Sequence, residues 1–240
     1  MSIQISEWDT NHFGFKIAKL LYVKDQSHIQ KGILESRLQG VKLLISRCPT
    51  NDFGWIHELE RRGFQLMDTI IYYSIDLTDY QIPEPKYQAR QATDNDIPAV
   101  RWIARESFKG YNSHFHADPE LDKKKCDEVY ELWAVNSFYD KNLADYVQIT
   151  EIDGQAAMFN TIKLKDNDKI GEIALSAAHP GMRGKGVYRD SIIHGIRWIK
   201  QHGCQKLEIS TQITTTNVQR SWARLGFGID RSFYTFHHWI

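Results

Sequence analysis

The stretch of the sequence richest in chemistry is Ser176-Ala-Ala-His-Pro-Gly-Met-Arg-Gly-Lys-Gly-Val-Tyr188. It joins a run that reads as a strand to one that reads as a long helix. Gly184 and Gly186 lack Cβ, so consecutive backbone N–H groups can converge there on one anion. The helix that follows adds the partial positive charge of its N-terminus. Arg183 and Lys185 add formal charge. Together these features describe a cradle for a pyrophosphate. G-x-x-x-x-G-K-[ST] is absent, since Val187 and Tyr188 follow the last glycine, and G-x-G-x-x-G is absent too. The ten histidines show no H-x-x-x-H or related spacing, so no metal is expected.

Composition sets the limits around this motif. The chain has 240 residues, 42% hydrophobic and 25% charged, as in an average globular protein. Lys and Arg total 30 and so do Asp and Glu. A zero balance argues against a nucleic-acid partner bound by counterion release, yet leaves room for a local basic pocket. No window approaches the roughly 18 apolar residues of a membrane helix, and the N-terminus does not read as a signal peptide. Cys48, Cys126 and Cys204 are far apart and show no Cys-x-x-Cys spacing. An odd, sparse set fits the reducing cytosol, with each thiol a small buried side chain.

The elements that must position the motif follow from periodicity. Gln81-Ile-Pro-Glu-Pro-Lys86 reads as a linker, dividing a smaller N-terminal α/β domain (1–85) from a larger domain (86–240). Strands are expected at 15–23, 41–46 and 69–77, with helices at 26–38 and 53–62, the latter ended by Gly63. In the larger domain, Ile97, Val100, Ile103, Ala104 and Phe108 recur at helical spacing after Pro98, with Asp94, Asn95 or Asp96 as the cap. A helix is expected at 120–136. Asp153-Gly154 predicts a type I′ hairpin between strands at 146–152 and 156–164. A strand at 170–178, a helix at 186–201, a strand at 207–213, a helix at 217–225 and an aromatic strand at 233–240 complete the order. Leu59-Glu-Arg-Arg-Gly-Phe64 echoes Trp222-Ala-Arg-Leu-Gly-Phe227, suggesting two related halves.

His-Pro-x-x-Arg-Gly-x-Gly after a strand resembles the pyrophosphate loop of the GNAT N-acyltransferases, and the order of elements over 88–240 resembles theirs. The resemblance implies a GNAT fold, α/β with a mixed, twisted central sheet, extended by the N-terminal domain as a partial GNAT-like half. It implies acyl-coenzyme A as co-substrate, held by Ala178, Met182, Arg183, Gly184, Lys185, Gly186 and Val187. Trp8-Asp-Thr-Asn-His-Phe-Gly14, Ser113-His-Phe-His-Ala-Asp-Pro119, the Tyr130–Trp133 spacing and Thr211-Gln212 resemble the dTDP-fucosamine acetyltransferase type of sugar-nucleotide N-acyltransferase. That narrower resemblance implies acetyl or short hydroxyacyl transfer to a dTDP-linked amino sugar for surface polysaccharide synthesis. A protein, peptide or polyamine acceptor is the second reading, and a non-catalytic acyl-CoA-binding module the third. No nucleic-acid or membrane partner is expected, and a homodimer is compatible with exposed strands.

Roles follow from the same resemblance. The Ala178 backbone N–H is expected to polarise the thioester oxygen, and the small Ser176-Ala-Ala178 run to admit acyl groups larger than acetyl. The family's usual Tyr acid, counted back from Gly226, falls on Trp222, whose indole cannot protonate a thiolate; Tyr188 or a water is the substitute. His114 and His116 are candidate bases or substrate hydrogen-bonders, and Glu172 is a base through water or a structural group. Asn217 contacts the pantetheine arm or caps a helix; the family's Asn falls instead on Thr215. Trp8, Phe13, Tyr130 and Trp133 stack on thymine or sugar, or belong to the core. Asp118 binds a sugar hydroxyl or caps a helix at Pro119, and Gln212, at the strand end, faces the splay between strands as a substrate-binding residue.

Overall fold

In a computed structural model describing residues 1–167, 169–182 and 184–240, the apolar runs become ten strands and the helical periodicities eight α-helices among the described residues. In chain order these are β1 (Ile3–Ile5), α1 (Glu7–Phe13), β2 (Ile17–Leu20), α2 (Ser27–Leu38), β3 (Leu43–Pro49), α3 (Phe53–Arg61) and β4 (Gln65–Asp76). Then come β5 (Ala89–Gln91), α4 (Ile97–Phe108), α5 (His114–Ala117), α6 (Lys123–Asn136), β6 (Tyr146–Ile152), β7 (Gln155–Lys165) and β8 (Ile170–Ala178). α7 (Val187–Gln201), β9 (Lys206–Gln212), α8 (Thr216–Arg224) and β10 (Gly228–Trp239) close the order. The hairpin turn carries φ of 52° at Asp153 and 74° at Gly154, as a type I′ turn requires. α4 starts from a Thr93/Asp96 capping box: Asp96 accepts the Thr93 N–H at 2.7 Å.

All ten strands form one mixed sheet in the order β1-β2-β3-β10-β4-β9-β8-β7-β6-β5, with β2–β3 and β8–β9 parallel. Residues alternate between its faces. One face buries Ile17, Ile45, Phe159 and Leu175 beneath α1, α4, α5 and α6. The other buries Ile71, Ile209 and Leu207 under α7 and α8, and Leu44, Cys48 and Phe236 under α2 and α3. All three cysteines are buried. No helix among the described residues is long and apolar enough to cross a membrane.

The echo noted in the sequence has a geometric counterpart. α3 and α8 each end at a glycine of positive φ, Gly63 (82°) and Gly226 (88°), and each leads into a strand through a buried Phe, Phe64 or Phe227. Those strands trade places. β10 inserts between β3 and β4, and β4 pairs on its other edge with β9. The 81–86 stretch is an irregular connection from β4 to β5, yet residues 1–85 complete their part of the sheet only with β10. Asp190 of α7 fastens this connection, accepting the N–H groups of Lys86 at 2.6 Å and Tyr87 at 3.0 Å.

Candidate active site

The site begins where two parallel strands part. β8 pairs with β9 only from Ile170↔Lys206 to Ile173↔Ile209. Against β7 its register jumps from Thr161↔Leu175 to Ile162↔Ile173, so Ala174 is an inserted residue. A bulge bends its strand and sharpens the twist, and here it turns β8 away from β9. β9 stays on β4 as far as Ile70↔Gln212. The opening is a cleft of about 1120 Å³ lined on one side by Ala174 to Ala178 and on the other by Ile209 to Gln212.

The β8 wall leads to the glycine loop. His179 N–H is taken by Ala157 O of β7 at 2.8 Å. Strand alternation therefore turns the N–H and C=O of Ala178 to the opposite edge, across the splay. Ser107 of α4 donates its hydroxyl to that carbonyl at 2.9 Å. Gly184 (φ 79°) and Gly186 (φ 85°) are left-handed, and Gly186 is the N-cap of α7. A Cβ at either would meet no atom within 4 Å, so backbone conformation, not crowding, demands glycine there. Gly184, Gly186, Val187 and Asn217 line the cleft. The first N–H groups of the 15-residue α7 have no partner within the helix and suit an anion. These residues fit a pyrophosphate. Met182 packs beside Val187 and Ala178 and is touched by Lys185 Nζ at 3.5 Å, so both flank the loop from outside the cleft lining. Arg183 lies outside the described residues.

Tyr188 stands at the base of this wall. Its hydroxyl accepts from Trp222 Nε1 at 3.1 Å. Burial, partly offset by hydrogen bonds with Ser176 and Trp222, pushes its pKa up to about 12. The phenol is therefore protonated at neutral pH, and the indole that replaces the expected Tyr acid holds another phenol in the splay. Asn217 sits in the first turn of α8 rather than at its cap, which is Thr215.

The other half of the cleft is built from side chains. Asp118 Oδ2 accepts from His237 Nδ1 at 2.7 Å, and His237 Nε2 meets His114 Nδ1 at 2.9 Å. Asp118 and His237 are each 1% exposed. Burial would raise the Asp118 pKa, but hydrogen bonds from His237, the Glu120 N–H and Trp239 hold it below the usual carboxylate range. In the tautomer in which a neutral His237 gives its Nδ1–H to that carboxylate, its Nε2 accepts the His114 Nδ1–H. This leaves His114 Nε2 as an unprotonated acceptor. Burial, then His237, Arg47 and Lys19, keep the His114 pKa well below its ordinary value, so the ring is neutral. The His114 backbone N–H is anchored on Asp68 Oδ2 at 3.1 Å, which also takes Gln212 Nε2 at 3.4 Å. Asp68 Oδ1 is buried and makes no hydrogen bond.

Trp8, His114, Tyr130, Trp133 and Gln212 line the cleft. Tyr130 stacks on Phe108 with centroids 4.4 Å apart, and the Tyr111 hydroxyl donates to Gln212. Five expected site residues stand apart from the cleft lining, Met182 as described above and four more. Phe13 is core, 5.2 Å from Phe115 between ring centroids. His116 faces Ser113 Oγ (2.9 Å) and Asp127 (3.1 Å), bracing α5 on α6. Asp118 is committed to His237 and Trp239 and also accepts the Glu120 N–H at 2.9 Å, so its carboxylate orients the relay. Lys185 is exposed beside the loop. Glu172 lines the cleft but is ion-paired with Lys165. His237 and Asp68 were missed by sequence reasoning. The one signal for His237 is the run His237-His-Trp239 inside an aromatic strand.

With this geometry in place, comparison with known proteins assigns the class. Residues 97–227, more than half of the chain, match the Acetyltransferase (GNAT) family. The chain belongs to that family. It is 21% identical over 194 residues to the spore coat polysaccharide biosynthesis protein SpsD of Bacillus subtilis (strain 168), covering 80% of this chain and 65% of that protein. The chain thus spans slightly less than two thirds of the curated relative's length. Its fold is similar to a GCN5-related N-acetyltransferase from Sphaerobacter thermophilus (TM-score 0.66, 13% identity, 99% of this chain and 76% of that one). It is also similar to a glucosamine N-acetyltransferase region of a fungal multi-domain β-N-acetylglucosaminidase (TM-score 0.68, 13% identity, 98% of this chain and 31% of that one).

Proposed function

We propose that the protein moves an acetyl or short hydroxyacyl group, such as 3-hydroxybutanoyl, from coenzyme A to the C3 or C4 amine of a dTDP-linked amino-dideoxyhexose. The acceptor binds where the 1–85 and 86–240 segments meet, and the product serves surface polysaccharide synthesis. The observation that carries the reading is the Asp118–His237–His114 chain, which ends in a free imidazole nitrogen in the same cleft as the splayed strand edge. The similarity to a polysaccharide biosynthesis protein supports a sugar acceptor.

The amine attacks the thioester carbon while His114 Nε2 accepts its proton. The Ala178 N–H donates to the carbonyl oxygen as it gains charge. The C–S bond breaks, and the leaving sulfur takes the Tyr188 phenolic proton. Trp222 Nε1–H steadies the resulting phenolate. A buried, neutral imidazole suits an amino-sugar acceptor, whose amine needs only modest help to lose its proton. A polyamine fits poorly: the cleft carries Asp9, which accepts the Ser6 hydroxyl, and Glu172, which is ion-paired, against the cations Lys19 and Arg47.

A thiol-release assay tests the reading. Acetyl-CoA and 3-hydroxybutanoyl-CoA would each be offered with dTDP-linked 3-amino and 4-amino dideoxyhexoses, a polyamine and a peptide pool. Thiol release is expected with a dTDP-amino sugar alone. Release with the polyamine or peptides and none with the sugars would overturn it.

A further inference from the structure

Beyond the splay the cleft continues over β2 and β3, where Trp8, Lys19, Tyr22, Arg47 and Tyr72 line it. Lys19 pairs with Ile45 across the parallel β2–β3 ladder. Arg47 lies two residues further along β3, so both cations project from one face of the sheet. Both side chains are exposed to the cleft. Neither forms an ion pair among the described residues. Arg47 makes one hydrogen bond, from Nε to Thr235 Oγ1 at 3.2 Å, and its terminal nitrogens are unspent.

What sets the pair apart is its place: the two cations stand side by side in the cleft lining, whereas Arg61, Arg62, Arg90, Arg101, Arg197 and Arg231 each have a carboxylate partner. The nearby acids among the described residues form no ion pair with them. Asp9 accepts the Ser6 hydroxyl, and Asp68, level with Arg47 across Thr235 of β10, accepts the His114 N–H at 3.1 Å through Oδ2. Two neighbouring like charges repel, and here neither is neutralised by a direct ion pair among the described residues. An arginine with free terminal nitrogens is shaped for two phosphate oxygens, and a lysine beside it for a third. Trp8 adds a flat apolar face: it is 38% exposed, and its ring stacks on His12 at 5.1 Å.

We infer that Lys19 and Arg47 form an anion subsite for the diphosphate of the acceptor, placing the nucleobase near Trp8 and the amino sugar toward His114. This rests on the sugar-nucleotide reading above and assigns the part of the site that recognises the nucleotide. The subsite is separate from the Gly184–Gly186 loop, so one cleft would hold two diphosphates on different chemistry.

Isothermal titration of the full chain, with coenzyme A saturating the glycine loop, tests it. The probes are dTDP and inorganic pyrophosphate, and the variants are Lys19→Gln, Arg47→Gln and their double. Each single change is expected to weaken dTDP binding roughly tenfold or more, as loss of a charged hydrogen bond does, and the double to abolish it. Coenzyme A affinity and Tm should stay as in the parent. Unchanged dTDP affinity in the double variant would overturn the subsite while leaving a nucleotide acceptor standing. No binding of either probe to the parent chain would overturn the subsite too. Pyrophosphate binding that the double variant loses, without acylation of any dTDP-amino sugar, would keep the subsite and remove the nucleotide-sugar reading.

Discussion

On the β8–α7 side of the cleft the groups offered to a ligand belong to the backbone: the Ala178 N–H, the turn through Gly184 and Gly186, and the first turn of α7. On the β2–β3–β10 side they are side chains from distant parts of the chain, namely Trp8, Lys19, Arg47 and His114, the last held by Asp68 and His237. The first arrangement suits a co-substrate common to a whole family, because backbone donors do not change when the sequence does. The second suits an acceptor particular to this protein, since each group can be exchanged singly without refolding the wall. On the proposed reading, specificity is concentrated on one side of the cleft.

Substitutions on each side break this comparison in different ways. His114→Ala should lower kcat by about 10²–10³-fold, the usual worth of a positioned base, with KM for acyl-CoA nearly unchanged in steady-state kinetics. A kcat close to the parent's would make the relay an architectural feature only. Gly186→Val forces a β-branched residue to φ 85°, at a cost of about 1–2 kcal/mol. It should weaken coenzyme A binding by roughly 10-fold or more by titration, with dTDP binding preserved. Equal loss of both ligands would show the two halves to be one unit. Tyr188→Phe should reduce kcat by about tenfold, and Trp222→Phe less, since the indole acts only through the phenol. A larger effect from Trp222 than from Tyr188 would reverse that order.

The smallest effect is on stability. The folded-state pKa of His114 is held well below its ordinary value, chiefly by burial. Between that lowered value and the unfolded pKa of about 6.5 the unfolded chain binds more protons. Stability is then full above about pH 7 and falls as pH drops through 6.5 toward the lowered value. Melting curves from pH 7.5 to 5 should show a falling Tm, and His114→Gln should flatten part of that slope. An identical slope in the variant would place the titration elsewhere.

The sequence made the two halves unequally visible. The glycine loop is contiguous, so its chemistry could be read from Ser176 to Tyr188 before any fold was known. The hairpin, α4, α7 and the aromatic last strand were legible for similar reasons: local turn chemistry and strong periodicity. The bulge at Ala174 was not, because its cause lies in the opposing β7 register. The relay was hidden because His114 and His237 are 123 residues apart in sequence and meet only when β10 inserts beside β4. Trp8-Asp-Thr-Asn-His-Phe13 was noticed as a motif, yet its helix depends on contacts with α6, where His12 Nε2 meets Lys125 O at 2.7 Å and Lys125 Nζ reaches Phe13 O at 3.0 Å. Composition, with its zero charge balance, only left room for a local basic pocket, and strand alternation alone brought Lys19 and Arg47 together.

The exchange of β4 and β10 has a consequence for how the molecule comes into being. During synthesis every other strand of the sheet leaves the ribosome before β10 does. Until it arrives, β3 and β4 lack the strand that joins them, and their open backbone edges invite pairing with another nascent chain. The contacts that close this gap span nearly the whole sequence, from Leu43↔Trp239 onward, so a large loop-closure entropy is met in the final step. The same strand delivers His237. On the proposed mechanism, completion of the sheet and arming of the imidazole would be one event, and a half-made chain able to hold coenzyme A would be unable to use it.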